Sequence, residues 1–140
     1  MKFLVPIDGS ESSRRAVEHV IRLARRGDPP EIHLLNVRGQ VDAWEVRRFL
    51  SDAEIAKMQI HEGEEEIRAN CALIESAGLA YQVKVMAGPV AETIARYADE
   101  QGCDIIIMGT HGRGGLSKLL MGSVAGEVVE KANVPVTLVK

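Results

Sequence analysis

Gly109-Thr110-His111-Gly112, with Gly122-Ser123 nine residues further on, is the part of this chain whose residue types and spacing suit chemistry. An apolar run, Ile105-Ile106-Ile107-Met108, leads into it and reads as a buried strand. An apolar-periodic segment, Val124 to Ala132, follows it and reads as a helix. Glycines that leave a strand and return at a helix start let backbone N–H groups close around an anion, with the helix dipole behind them. The chemistry is therefore phosphate binding, and the implied ligand is a nucleotide. A side chain at Gly109, Gly112 or Gly122 is expected to hold those donors away from phosphate oxygens or to demand a forbidden φ. One helix terminus contributes only about 0.3–1 kcal/mol to an exposed anion. Micromolar binding needs about 8 kcal/mol, so a base pocket, ribose contacts and several N–H donors must supply the rest. Arg113 and Lys118 are the nearby cations for a triphosphate, and a divalent metal would help to neutralise it.

Two common phosphate loops are excluded by particular residues. Gly109 and Gly114 have the spacing of the P-loop, but Gly115 occupies its lysine position. Gly112 and Gly114 begin a dinucleotide fingerprint, but Ser117 stands where its third glycine belongs. No Gly-x-Ser-x-Gly or His-Glu-x-x-His is present, and no nucleophile, base and orienting group stand out together. Nucleotide binding without a hydrolytic apparatus points to a sensor or switch, with slow turnover at most. His19, His33 and His61 share no metal-ligand spacing and read as surface or satisfied core residues. His111 either adds a phosphate contact or stands in solvent.

The elements that must position the glycine segment follow from periodicity. Phe3 to Ile7 reads as a buried strand ending at Asp8-Gly9, with Pro6 at its irregular end. Ser10 is the expected N-cap of a helix with the stripe Ala16, Val17, Val20, Ile21 and Ala24, stopped by Gly27-Asp28-Pro29-Pro30. Ile32 to Val37 is a second strand. Residues 38 to 50 read as loop or short helix; Trp44 there either covers the base or anchors its own loop. A long helix, Ser51 to Ser76, carries the stripe Ala56, Ile60, Gly63, Ile67, Cys71 and Ile74, with the acidic run Glu62 to Glu66 mostly on its wet face. Tyr81 to Val85 alternates and reads as a strand with one exposed face or at an edge. Pro89 is expected in the first turn of a helix from Val90 to Gln101 that faces Ile94, Tyr97 and Ala98 inward. The strand Asp104 to Met108, the last helix with Ser123 as N-cap, and the strand Val136 to Val139 complete the chain. This alternation implies right-handed crossovers and one parallel sheet with helices on both faces. Ligands of such sheets sit beyond the carboxyl ends of the strands, where strand order reverses.

Composition narrows the partners. With 140 residues the chain suits one domain, and 4% aromatics against 46% apolar residues favours an aliphatic α/β core. The net charge of −3 argues against a nucleic-acid partner, and Arg25-Arg26 and Arg47-Arg48 read as solvated helix faces. Cys71 and Cys103 form no CxxC and read as buried or partly buried thiols. No apolar run approaches the ~18 residues of a membrane span, and no signal peptide is visible, so the cytoplasm is the expected compartment.

The pattern that remains, G-x2-G-x9-G-S, resembles the nucleotide-binding signature of the ATP-binding branch of the universal stress protein family. Val5-Pro6-Ile7-Asp8-Gly9-Ser10, Met108-Gly109-Thr110-His111-Gly112-Arg113 and Val134-Pro135-Val136 resemble that family too, so the likeness spans the whole chain as one domain, 1–140. The resemblance implies a single-domain Rossmann-like fold of the adenine nucleotide alpha hydrolase-like type. Its five-stranded parallel sheet would have the order 3-2-1-4-5. It implies bound ATP, ADP or AMP, with Mg. Asp8 would face the ribose or a phosphate-bound Mg, and Pro6 would shape the same strand end. Val37 would offer backbone groups to adenine, and Met108 and Gly109 would border the nucleotide. Gly112, Gly122 and Ser123 would contact phosphates, with Val124 beginning the helix beneath them. Thr110, His111 and Arg113 would lie beside the phosphate path. The resemblance also implies a homodimer, or a higher oligomer, in which Val136–Val139 pairs with its mate; an apolar last strand would otherwise be an unprotected edge. Two other functions stay open at this point: a slow ATPase or phosphotransferase with autophosphorylation near Ser123, and a nucleotide-independent interaction protein.

Overall fold

The computed structural model of the chain describes residues 1–39, 44–111 and 121–140. The expectations for Gly112, Arg113 and Lys118 lie outside the described residues. Five strands, β1 (Lys2–Pro6), β2 (Glu31–Arg38), β3 (Tyr81–Ala87), β4 (Ile105–Gly109) and β5 (Val136–Val139), alternate with helices α1 (Glu11–Ala24), α2 (Trp44–Arg47), α3 (Asp52–Ser76), α4 (Val90–Glu100) and α5 (Ser123–Lys131). The sheet is parallel throughout, in the order β3-β2-β1-β4-β5. The expected architecture and strand order are therefore present, with α2 as a short helix in the ambiguous stretch. Strand order reverses between β1 and β4, so the loops after these two strands diverge and leave a crevice between them.

Alternation along the central strands builds two cores. Phe3, Val5 and Ile7 with Ile32 and Leu34 face α1 and α3; Leu4, Leu35, Ile106 and Met108 face α4 and α5. Both faces of β1, β2 and β4 are covered, which is why these strands read as continuous apolar runs. β3 lies at one edge and is largely exposed, as its alternating sequence implied. Pro6 is the last residue of β1, paired with Leu35, and the ladder resumes at once with the Ile7 N–H donating to the Leu35 carbonyl at 2.8 Å.

Capping fixes where the helices begin. Ser10 Oγ accepts the Ser13 N–H at 3.1 Å, as expected for the N-cap of α1. Ser51 caps α3 in a reciprocal capping box with Glu54. Two expectations change here. Pro89 is the N-cap of α4 rather than a residue of its first turn. Gly122, not Ser123, is the N-cap of α5, and Ser123 is its first helical residue.

The buried face of α3 also differs from the expected stripe. It runs Ile55, Gln59, Gly63, Ile67, Asn70 and Ile74, while Ile60 is 49% exposed and Ala56 lies outside. Gly63 explains the seat of this helix. A Cβ there would stand 2.5 Å from Val85 Cγ1 and 2.7 Å from Asn36 Oδ1, so only glycine lets α3 come this close to β2 and β3.

His33 is a satisfied core residue. His33 is 1% exposed; its Nδ1 lies 2.9 Å from the Tyr97 hydroxyl and its Nε2 2.9 Å from Glu31 Oε1. The bond from His33 holds the Glu31 carboxyl below the usual carboxylate range, and burial raises the Tyr97 hydroxyl. Among the described residues, no group of three or more His, Cys, Asp or Glu side chains could hold a metal ion, and no helix is long and apolar enough to cross a membrane.

Candidate functional site

A cleft of about 290 Å³ opens at the carboxyl end of the sheet, over the point where strand order reverses. β1 and its following loop supply Pro6, Ile7 and Asp8, and α1 supplies Ser10 and Ser13. β2 contributes Leu35 and Val37, which share the sheet face that α4 covers with Val90 and Ile94. β4 and the turn beyond it contribute Met108, Gly109, Thr110 and His111, and Gly122, Ser123, Val124 and Ala125 close the far side. The volume lies near the lower end of ordinary small-molecule sites.

Every described residue singled out from the sequence as a site residue lines this cleft: Pro6, Asp8, Val37, Met108, Gly109, Thr110, His111, Gly122, Ser123 and Val124. Leu35, Val90, Ile94 and Ala125 escaped the sequence reading because an apolar residue lining a pocket and one filling a core look alike in sequence. Ser10 escaped because N-capping already accounted for it. Trp44 does not line the cleft; it is 64% exposed, with the Arg48 guanidinium 5.3 Å from its ring centre.

The cleft has two chemically different ends. Around Leu35, Val37, Val90, Ile94 and Met108 it is aliphatic, suited to a flat, apolar ring system. At the other end the α5 amides gather. The Gly122 N–H is already committed to the Thr110 carbonyl at 2.6 Å. Ser123, Val124 and Ala125 occupy the first three positions of α5, where amides have no acceptor within the helix, and the glycine N-cap provides no side chain for them. These donors and the positive end of the helix dipole are chemically suited to an anion.

The polar groups between the two ends are held by α1. Asp8 Oδ1 accepts the Ser10 N–H at 2.9 Å, an Asx turn that uses one of its two oxygens. The His111 N–H donates to Ser12 Oγ at 3.3 Å, and the His111 ring Nδ1 lies 2.8 Å from Thr110 Oγ1. Asp8 is the single carboxylate among the described lining residues, which include no lysine or arginine.

Of the two reasons expected for Gly109, a forbidden φ does not apply, and a close approach is added. Its φ is not among the positive values of the chain. A Cβ there would run into the Ser12 hydroxyl and stand 2.6 Å from the Ser12 carbonyl carbon. The residue is glycine so that α1 can lie against the end of β4, which brings Ser10, Ser13 and Asp8 up to the cleft. Gly122 likewise has φ −61° and ψ 155°, which any residue adopts, so no forbidden φ applies there.

Neither thiol is primed as a nucleophile. Cys71 and Cys103 are both free, and burial pushes both above the usual thiol range.

A sequence model of the universal stress protein family matches residues 1–140. The chain belongs to that family. It is 31% identical to universal stress protein MJ0531 of Methanocaldococcus jannaschii over 146 residues, covering 99% of this chain and 81% of the relative. Universal stress protein MJ0577 of the same organism is 31% identical over 157 residues, covering 99% and 94%. The solved structure of MJ0577 superposes with a TM-score of 0.86 at 32% identity, over 99% of this chain and 94% of that one. A family protein from Arabidopsis thaliana, solved with AMP bound, shares the fold at a TM-score of 0.70 and 17% identity, over 100% and 91%.

Proposed function

We propose that the chain is a regulatory binding module for an adenine nucleotide, held in the cleft between β1 and β4. The observation that carries this reading is the cleft's polarity. An aliphatic slot beside Val37 ends at the uncapped first turn of α5, with Asp8 between them. A nucleoside phosphate has the same order of parts: flat base, hydroxylated sugar, anion. Val37 ends a segment of β2 whose backbone edge suits the base. Asp8 suits the ribose hydroxyls or a metal on the phosphates, and Ser123, Val124 and Ala125 suit the phosphates. A lone carboxylate does not make an all-protein Mg site, but it fits a Mg ion that the nucleotide phosphates already hold. AMP bound to the Arabidopsis protein agrees with this reading. At that identity the fold alone carries over, so the reading stands on the cleft.

Isothermal titration of the purified chain with ATP, ADP and AMP, in millimolar Mg, is expected to show one site per chain, with labelled ATP intact over hours. No heat with any of the three would remove the proposal, and prompt release of labelled phosphate would replace the binding module with an enzyme.

We also propose a homodimer through β5. This strand is hydrogen-bonded to β4 on one side only and is half-buried along its whole length, so its other edge offers backbone groups to a second copy. Light scattering is expected to give twice the chain mass; the mass of one chain at micromolar concentration would overturn it.

A further inference from the structure

Glu66 lies on α3, on the opposite face of the sheet from the cleft, yet its carboxylate holds two side chains at the end of β2, one of which also reaches the end of β1. Oε1 stands 2.8 Å from an Arg38 guanidinium nitrogen, and Oε2 accepts from Asn36 Nδ2 at 2.9 Å. The Glu66 side chain is only 12% exposed, so water screens these bonds little.

Each partner leads to the cleft through backbone. Asn36 is 1% exposed, and its Nδ2 also donates to the Ile7 carbonyl at 2.8 Å. Ile7 is the residue before Asp8, and its own N–H is bound to the Leu35 carbonyl. The peptide that delivers Asp8 to the cleft is thus pinned from both sides. Arg38 follows Val37 on β2; its carbonyl accepts the Gly88 N–H at 2.9 Å, and Glu62 holds a second guanidinium contact at 2.7 Å. Side chains alternate along β2, so Asn36 and Arg38 point to α3 while Val37 between them faces the cleft.

The packing around this cluster is unforgiving. Asn36 Oδ1 is buried without a hydrogen-bond partner and stands 2.7 Å from where a Cβ at Gly63 would be. Asn36 therefore holds the Ile7 carbonyl only while α3 keeps its seat, and the Glu66 carboxylate is what ties that seat to Asn36 and Arg38 together.

We infer that Glu66 is a positioning residue for the nucleotide site: through Asn36 and Arg38 it fixes Ile7–Asp8 and Val37, the two strand ends that meet the nucleoside. This rests on the cleft being the nucleotide site. Removing the carboxylate loosens the nucleoside end and leaves the α5 amides untouched, so affinity for adenosine and for ADP falls by the same factor.

The test measures adenosine and ADP affinity by titration in the full chain, together with the melting temperature. Glu66→Ala and Arg38→Met are each expected to weaken both ligands about fivefold. Ile74→Val, a buried change on the same helix away from the cleft, is expected to lower the melting temperature and leave both affinities alone. If Glu66→Ala does not fold, Glu66→Gln, which keeps one acceptor, is read in its place with the same expectation. Unchanged affinity in the glutamate variant would overturn the inference. So would an equal loss in Ile74→Val, which would make the effect one of general loosening. If the unmodified chain binds neither ligand, the cleft reading itself falls, an outcome distinct from these two.

Discussion

Gly109→Ala is expected to lower the stability of the fold by about 3 kcal/mol and its melting temperature by roughly 10 °C. The added methyl has no room to relax. Its neighbours are the Ser12 hydroxyl and, at 2.6 Å, the carbonyl carbon of Ser12, which is helix backbone. A glycine-to-alanine change at a compatible site would instead stabilise by about 0.4–1 kcal/mol through the unfolded chain, so even the sign of the measured change tests the close approach. Adding Ser12→Ala to Gly109→Ala removes the hydroxyl but leaves the carbonyl carbon in place, and is expected to recover less than half of the loss. Urea unfolding of the single and double variants reads both numbers. A Gly109→Ala chain as stable as the parent would show that α1 does not need this approach to β4. The cleft would then lose its explanation for how Ser10, Ser13 and Asp8 reach it.

The case of Gly109 shows where sequence reasoning succeeds and where it stops. Its position at the end of a strand, ahead of Gly122-Ser123, picked out residues that line the cleft, because strand and helix periodicities are local properties of the chain. Its physical reason was not legible, because the atoms that forbid a side chain belong to Ser12, distant in sequence. α3 fails in the same manner. Ala56 with Ile60, and Ile55 with the polar Gln59, both lie at positions that continue a helical stripe through Gly63, Ile67 and Ile74. The choice between them is made by tertiary partners: Gln59 Nε2 donates to the Gly39 carbonyl at 3.0 Å, which satisfies a buried amide no pattern rule would place inside. Glu66 read as one of a solvated acidic run for the same reason, since neither Asn36 nor Arg38 is near it in sequence. The strand order, by contrast, followed from the resemblance, and the reading of β3 as half-exposed or at an edge followed from alternation, both of which the sheet bears out.

Gly122→Val is expected to separate binding from folding more cleanly than any other change in the cleft. The backbone at Gly122, φ −61° and ψ 155°, is ordinary extended geometry that valine adopts without strain. Its N–H donates to the Thr110 carbonyl and its carbonyl accepts the Gly126 N–H at 3.1 Å; a valine keeps both bonds. Valine is a poor N-cap, but so is an N-cap without a side-chain hydrogen bond, and glycine exceeds the aliphatic residues there by about 1 kcal/mol at most. The melting temperature is therefore expected to fall by only a few degrees. The phosphate end is affected differently. Two new methyl groups stand at the mouth of the α5 amides, where an anion must come within about 3 Å of nitrogen to form a hydrogen bond. Losing two such charge-assisted bonds, at about 1.5–3 kcal/mol each, weakens ADP by at least a hundredfold. Adenosine has no group at that end, so its affinity is expected to hold within about twofold, the reverse of the pattern for Glu66→Ala, which weakens both ligands together. Titration of the two ligands against one folded variant decides the matter. Equal losses for ADP and adenosine would mean that the nucleotide lies in the cleft in some other direction, with its phosphates away from α5.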